Sequence, residues 1–482
     1  MKKLYKICGS VTGVLLVLSL IEVMQPIVKS QTLGFYVSGR HIYDVNGNMF
    51  IIRGINHAHT WYGGRITKAI ADIKSMGANT VRIVLSSGHR WTKNSASDVA
   101  NVIELCKHNR LICILEVHDT TGYGEQSGAI SLLQAVNYWK GIKSVLDGQE
   151  ACVIINIGNE PYGNTNAEGW INDTKNAIRE MRKAGFKHMI MVDAPNWGQD
   201  WQFIMRDNAA SIFNSDSQKN TVFSVHMYGV YDTRDEINSY LSTFVNNGLP
   251  LVIGEFGHMH TDGDPDEDSI MELAQSYGIG WIAWSWCGNS GGVEYLDMVN
   301  NWDPNSLTTW GNRTINGVNG LKQTSNECPI FNADTTPPII SNPYQNPPGQ
   351  VMQPGTTVQV DAEQNVTVRV NVTDAINGIK QVTLSHNVSV TEWTNITMQK
   401  TVGNEYTATI VSGGLPVNTI ITYYIIATDN ANNTAKTPTN GIYFQYQIIP
   451  ENIYMPTILL IFVVASSLIM VLLKRKRFPY QP

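Results

Sequence analysis

No Cys-x-x-Cys pair occurs in the 482 residues, and only six cysteines are present, one of them, Cys8, close to the N-terminus. The other five, Cys106, Cys113, Cys152, Cys287 and Cys328, are odd in number. Neither a zinc site nor a disulfide framework is indicated; cysteines of this kind serve as small buried apolar side chains, with room for one disulfide among them. Charge is scarce as well. Asp, Glu, Lys and Arg make up 15% of the chain, the formal net charge is −6, and basic residues gather at the two termini. No basic face is left for a phosphate backbone, which excludes nucleic acid as a partner. Long apolar runs are missing from everything except the two ends.

At the N-terminal end Lys2, Lys3 and Lys6 precede the apolar run Val11–Ile21, and the small Ser30 follows. This is the layout of a secretory signal peptide over residues 1–30. The run is too short to span a bilayer unless it is extended through Glu22. At the other end residues 454–473 are almost unbroken apolar, long enough to cross the hydrocarbon core as a helix. Lys474, Arg475, Lys476 and Arg477 follow, the positive charge of a cytoplasmic flank, within a basic tail over 474–482. The expectation is a single C-terminal transmembrane helix that holds the rest of the chain at the extracellular face of the cell membrane. Seven Asn-x-Ser/Thr acceptors occur, five of them after residue 360, which marks that region as exposed surface open to glycosylation.

Between residues 50 and 287 one pattern repeats eight times: a short β-branched apolar run, then a polar stretch of helical period. The runs are 50–56, 79–85, 112–118, 152–160, 188–194, 221–228, 251–257 and 280–286, and their starts lie 29 to 40 residues apart. That spacing fits a strand, a crossover helix and two loops. In the first crossover Ile66, Ile70, Ile73 and Met76 make one buried stripe before Gly77. Continuous apolar strands imply burial on both faces, and eight such units favour a closed (β/α)8 barrel over residues 31–331. A proline-rich linker or domain entry is expected over 332–360. Strict alternation in 366–373, 406–410 and 422–428 then predicts a small antiparallel β-sandwich over 361–448. The expected fold is therefore an α/β barrel, a small all-β sandwich and one transmembrane helix.

In such a barrel the C-terminal strand ends and the loops after them form the working face. Those ends carry Arg82, His118, Asn159 with Glu160, His226 with Tyr228, Glu255, and Trp284 with Trp286. Taken singly, each has a plain structural role: a solvated loop glutamate, a satisfied core histidine, an ion-paired arginine, a packed tryptophan. Together they converge on one rim, which chance does not readily produce. Glu160 and Glu255 end the fourth and seventh runs, on opposite sides of the mouth. Two facing carboxyls are what glycoside hydrolysis uses: about 5 Å apart for retention, wider with room for water for inversion. His226 and Tyr228, two apart on one strand, point the same way and can donate to a carboxylate, and Arg82 offers a fixed positive charge. Trp61, Trp197, Trp284 and Trp286 offer flat faces for a sugar ring. The acidic loop Asp262–Asp268 lacks the glycine and distal glutamate of an EF-hand, so a solvated loop is expected there, not a calcium site.

Gly-Asn-Glu-Pro at 158–161, Gly-Glu-Phe-Gly at 254–257, Val-Arg-Ile at 81–83, Val-His at 117–118, His-Met-Tyr at 226–228 and Ala-Trp-Ser-Trp at 283–286 resemble glycoside hydrolase family 5. With Arg-Gly-Ile-Asn-His at 53–57, His-Thr-Trp-Tyr at 59–62 and Asp-Ala-Pro-Asn-Trp at 193–197, the stretch from Gly34 to about Phe331 is similar to its bacterial-type β-mannanases. The resemblance implies a retaining endo-acting hydrolase of β-1,4-linked mannan or glucomannan; that chemistry requires no cofactor or metal, and a monomeric catalytic domain is expected. It implies Glu160 as acid/base and Glu255 as nucleophile, with Asn159 on the sugar 2-hydroxyl. Arg82, His118, His226 and Tyr228 would orient the carboxylates, and Trp61, Trp197 and Trp284 would line the cleft. Asp-Thr-Thr-Pro-Pro at 334–338 and the run 423–430 resemble immunoglobulin-like or fibronectin-like modules of surface proteins, which implies no ligand. The alternatives are a β-1,4-endoglucanase built on the same residues and a non-catalytic carbohydrate-binding surface protein. The second would be marked by loss of a carboxylate, and both are present.

Overall fold

Each of the eight apolar runs contains one strand, and the eight close into a ring. The computed structural model describes residues 34–451 apart from 333, 390, 391 and 440. A hairpin of β1 (Tyr36–Ser38) and β2 (His41–Tyr43) leads into the ring strands. These are β3 (Arg53–His57), β4 (Thr80–Leu85), β5 (Ile112–Val117), β6 (Val153–Asn156), β7 (Ile190–Asp193), β8 (Thr221–Met227), β9 (Leu251–Phe256) and β10 (Gly280–Ala283). They pair in parallel in chain order, and β10 returns to β3. The crossover helices form where expected: Ile66–Ser75 buries Ile66, Ala69, Ile70 and Ile73 on one side. Ser95 accepts from the backbone N of Asp98 to start the helix Ala96–His108, and Ser131 with Gln134 makes a reciprocal capping box on Leu132–Gly141.

Strand alternation sorts the side chains into two sets. Cys113, Leu115, Val153, Ile155, Ile190, Phe223 and Ile253 pack outward with the helices. Ile52, Ile112, Ile114, Ile154, Met191, Val222, Val252 and Ile282 pack inward, with Phe35, Phe50, Ile330 and Phe331 closing the floor. Continuing inward-facing positions toward the strand C-termini, apolar residues give way to polar ones: Ile52 to Asn56, Ile114 to Glu116, Ile154 to Asn156, Met191 to Asp193, Val222 to His226. The lower barrel is an oil-filled plug and the upper barrel a polar layer.

After residue 331 the chain forms two sheets that share one core of Val366, Val368, Val370, Val372, Ile421, Tyr423, Ile425 and Tyr446. One sheet contains β11 (Ile339–Asn346), β12 (Gln350–Val351), β14 (Val366–Thr373), β17 (Gln399–Lys400) and β18 (Glu405–Ile410). The other contains β13 (Thr357–Asp361), β15 (Ile379–Val388), β16 (Thr394–Thr397), β19 (Ile420–Asp429), β20 (Thr434–Thr437) and β21 (Phe444–Ile449). Strands β11 to β13 occupy the proline-rich stretch expected to be a linker or domain entry, because proline is tolerated on edge strands and at bulges such as the one between Ser341 and Tyr344. Pairing is antiparallel except for β13 with β21. The module docks under the barrel floor, where Ile376 joins the apolar plug. There the Ile379 backbone N–H donates to Glu104 at 3.2 Å, and the buried Lys107 ammonium donates to the Asp374 carbonyl.

The expected fold needs correction. It is a (β/α)8 barrel followed by two all-β sheets, and among the described residues no helix is long and apolar enough to cross a membrane. The stretch 454–473, read as a transmembrane helix, lies outside the described residues, as does the expected signal peptide. All five cysteines in the described region are free and buried, matching the role of small apolar side chains.

Candidate active site

Arg82 is the hub of the polar layer. Fully buried on β4, it donates from Nε to Asn156 at 2.9 Å, from Nη1 to Asn56 at 3.1 Å and Glu255 at 2.8 Å, and from Nη2 to Asn159 at 2.8 Å and Asp193 at 2.9 Å. Burial alone would lower its affinity for the proton, but the carboxylates of Asp193, Glu116 and Glu255 outweigh this and raise it. Asp193 is held at about 2, because Arg82 and His226 overcome the upward push of burial.

Glu255 reaches this layer through an irregularity. Its strand shifts register against β8 between Val225 and His226, so that Gly254 and Glu255 both turn inward, while Ile253 and Phe256 pack outward. A Cβ at Gly254 would sit 2.2 Å from the Ser224 hydroxyl, so only glycine allows the bulge that aims Glu255 at the mouth. The carboxylate then accepts from Arg82 on Oε1 and from the Tyr228 hydroxyl on Oε2 at 2.9 Å. Burial lifts its pKa, the charges of His226 and Arg82 pull it down, and the charge of Glu160 pushes it up again, for a net rise. The Tyr228 phenol, raised by burial and by both glutamates, stays a neutral donor.

Glu160 follows β6 in a left-handed backbone conformation, φ +41°, which an L-residue adopts only when its surroundings impose it. Its Oε1 meets His226 Nδ1 at 2.8 Å. The same nitrogen lies 3.6 Å from Glu255 Oε2, and Nε2 lies 3.3 Å from Asp193. Burial would deprotonate this imidazole, but Glu255, Asp193 and Glu160 outweigh it and raise the ring to about 10. His226 is therefore an imidazolium wedged among three carboxylates. One oxygen of Glu160, one of Glu255 and one His226 nitrogen lie within 4.8 Å of one another.

The pair sits in a cleft of two halves. The first, about 460 Å³, is lined by Trp61, Tyr62, His118, Asn159, Trp284 and Asn289 together with Glu255. The second, about 730 Å³, is lined by Asn164, Asn196, Trp197, Trp201 and Asp262. Glu160, Tyr228 and His260 belong to both.

Every residue expected at the site except Trp286 thus reaches the cleft or the layer beneath it. His118 is tied by Nδ1 to Glu116 at 2.9 Å, its ring packs 5.2 Å from Trp61 and 6.1 Å from Trp284, and it acts on the glutamate pair through charge. Trp286 offers no face to a sugar, since it is fully buried among the outer barrel side chains. Sequence reasoning gave no role to Asp193, Glu116 and Asn56. An aspartate ending the apolar run Ile-Met-Val-Asp and a glutamate inside Ile-Leu-Glu-Val are unpaired charges in buried strands, and that was the available signal.

Glu160, His226 and Glu255 converge closely enough to hold a metal ion, but their atoms are already engaged, His226 Nδ1 with Glu160 and the two Glu255 oxygens with Arg82 and Tyr228. A second convergence, Asp334, Asp374 and Asp429 in the C-terminal module, is engaged by amides: Asp374 Oδ1 accepts the backbone N–H groups of Ile376, Asn377 and Gly378. It shapes the loop that docks on the barrel floor.

Residues 43–290 match the family model described as cellulase (glycosyl hydrolase family 5). Over 299 residues the chain is 60% identical to a mannan endo-1,4-beta-mannosidase of Streptomyces lividans, covering 62% of this chain and 78% of that one. Over 303 residues it is 52% identical to a mannan endo-1,4-beta-mannosidase of Cellvibrio japonicus, covering 63% and 70%. Among solved structures, a mannohexaose complex of Thermomonospora fusca beta-mannanase aligns with TM-score 0.60 and 59% identity, covering 62% of this chain and 99% of that chain.

Proposed function

Because the chain belongs to glycosyl hydrolase family 5, we infer that it is an endo-β-1,4-mannanase that cleaves by double displacement with retention of anomeric configuration. The observation that carries this is the approach of the Glu160 and Glu255 oxygens to within 4.8 Å. For one oxygen of each, that fits the roughly 5 Å separation of a nucleophile and acid/base pair better than the wider separation of an inverting enzyme.

The donors decide which glutamate attacks. Glu255 receives Arg82 on one oxygen and Tyr228 on the other, so its ionised form is supported on both sides. Glu160 receives His226 alone among side chains. Two carboxyls this close share one proton, and once Glu160 carries it the like-charge push on Glu255 is gone. Glu255 then attacks the anomeric carbon while Glu160 protonates the departing oxygen; afterwards Glu160, now a carboxylate, deprotonates the water that releases the sugar. His226 lies against both carboxylates, so its charge offsets whichever is ionised at each stage.

The polarity of the cleft follows. The half containing Glu255 takes the sugars that become covalently held, with Trp284 and Trp61 as apolar platforms. The half lined by Glu160 but not Glu255 takes the leaving fragment, against Trp197 and Trp201. A cleft open on both sides of the cut suits attack within a chain. Relatives named mannan endo-1,4-beta-mannosidases, at 52% and 60% identity, favour mannan over cellulose. An extracellular place of action is supported by the leader-like residues 1–30 and by a polymeric substrate that cannot enter a cell. Reducing-sugar release from mannan, glucomannan and carboxymethylcellulose, side by side, tests the reading. Release from mannan and glucomannan is expected, and activity on cellulose alone would overturn it.

A further inference from the structure

The turn that leads into the acidic loop Asp262–Asp268 begins with His260, a residue that the double displacement leaves unused. Residues 260–263 fold back on themselves, His260 N–H to the Gly263 carbonyl at 2.9 Å and Gly263 N–H to the His260 carbonyl at 3.3 Å. This turn is pressed onto the chain just after Tyr228. A Cβ at Gly229 would lie 2.5 Å from the Asp262 backbone, and one at Gly263 would lie 2.9 Å from the Gly229 Cα. Two facing glycines let the two backbones meet, and no other residue pair would fit there.

The contact fixes Asp262. Its Oδ1 accepts from the Gly229 N–H at 3.1 Å and from His260 Nδ1, and its Oδ2 accepts from Gln199 Nε2 at 2.7 Å. Gln199 is itself held, its Oε1 by the Val230 N–H at 3.2 Å and its carbonyl by the Tyr231 hydroxyl at 2.8 Å. With Nδ1 committed to Asp262, the His260 ring lies stacked on Tyr228, centroids 4.4 Å apart and planes 27° apart. Its Nε2 makes no hydrogen bond among the described residues, and the ring lines both halves of the cleft at the boundary where Glu160 stands. The rest of the turn, Thr261 and Asp262, lines only the leaving-fragment half.

We propose that His260 is a substrate-binding residue whose Nε2 hydrogen-bonds a hydroxyl of the first sugar on the leaving side, an inference that rests on the mannanase reading above. The charged groups around the ring are Asp262, Glu160 and Glu255, which together outweigh burial and favour its protonated form. With Nδ1–H given to Asp262, Nε2 donates when the ring is charged and accepts when it is neutral. A sugar hydroxyl, donor and acceptor at once, pairs with either state. The Asp262 clamp and the Tyr228 stack hold the ring in advance, so little freedom is lost when the sugar arrives.

The test uses two substrates: mannohexaose, which fills the leaving side with sugar, and 4-nitrophenyl β-mannobioside, whose leaving phenol has no hydroxyl at that place. His260→Ala is expected to lower kcat/KM on mannohexaose by about tenfold, the weight of one good hydrogen bond, with less than about a twofold change on the aryl substrate. His260→Gln, which puts an amide near the Nε2 position, should recover part of the loss. A parallel fall on both substrates would mean that His260 acts through Tyr228 and Glu255, and no fall on either would mean no contact; each result overturns the proposal. A parent enzyme inactive on mannohexaose would instead sink the mannanase reading, and this inference with it. Because the His260 side chain is 28% exposed, outside the core, the Ala variant is expected to fold, with a melting temperature matching the parent's.

Discussion

The two ends of the barrel are built from the same eight strands and follow opposite rules. At the floor, inward positions are Ile, Val and Met, sealed by Phe35, Phe331 and the module's Ile376, with few polar bonds across the junction. At the mouth, two to four residues further along the same strands, the inward positions are Asn56, Arg82, Glu116, Asn156, Asp193, His226 and Glu255, all nearly or fully buried. Burying charge is unfavourable unless every partner is present, and here one arginine and one histidine must satisfy several carboxylates at once. The floor is where burial supplies stability. The mouth accepts a stability cost in order to hold two carboxyls close together in fixed environments.

Substitutions at the two ends should separate those roles. The largest effect belongs to the mouth: Glu160→Gln or Glu255→Gln should lower kcat on mannan by about 10²- to 10⁴-fold with little change in melting temperature, as read by steady-state rates and calorimetry. Either variant retaining parental activity would remove the contrast. Arg82→Met should strike both properties, because it strands Glu255 and Asp193 without their cation. A stability loss of about 3–5 kcal/mol by denaturant titration is expected, together with lost activity. At the floor, Ile376→Ala should lower stability by about 2 kcal/mol and leave kcat unchanged; a fall in kcat would show the ends to be coupled.

The same contrast is read in the pH dependence of stability. The His226 imidazole is raised from 6.5 to about 10, so its contribution is fully present below about pH 6.5 and is lost as pH rises through about 10. Asp193, lowered from 3.8 to about 2, contributes above about pH 3.8, and that contribution is lost as pH falls through about 2. Melting curves across pH should therefore be flatter on the alkaline side for His226→Gln than for the parent.

The barrel was legible because its signal is repeated: eight apolar runs at even spacing survive an error in any one of them. The glutamates were legible because strand order alone places Glu160 and Glu255 across a mouth. What escaped the sequence depends on contacts between distant strands. Asp193 reads as the polar end of an apolar run until Arg82 and His226 are seen to converge on it. His118 acts on the glutamates through charge, but the sequence did not show that Glu116, two residues earlier on the same face, holds its Nδ1. The bulge at Gly254 is invisible to a period-two reading, which would turn Glu255 outward. In the stretch 332–360, read as a linker or domain entry, six prolines between 337 and 354 hid the strands β11 to β13 that run through it.

The central claim is that Glu255 forms a covalent bond to the sugar while Glu160 shuttles the proton. The most direct measurement is proton NMR of mannohexaose digestion at early times, before mutarotation scrambles the new reducing end. The account predicts that the β-anomer appears first and the α-anomer only later. An α-anomer released first would mean inversion by direct attack of water, and would contradict it.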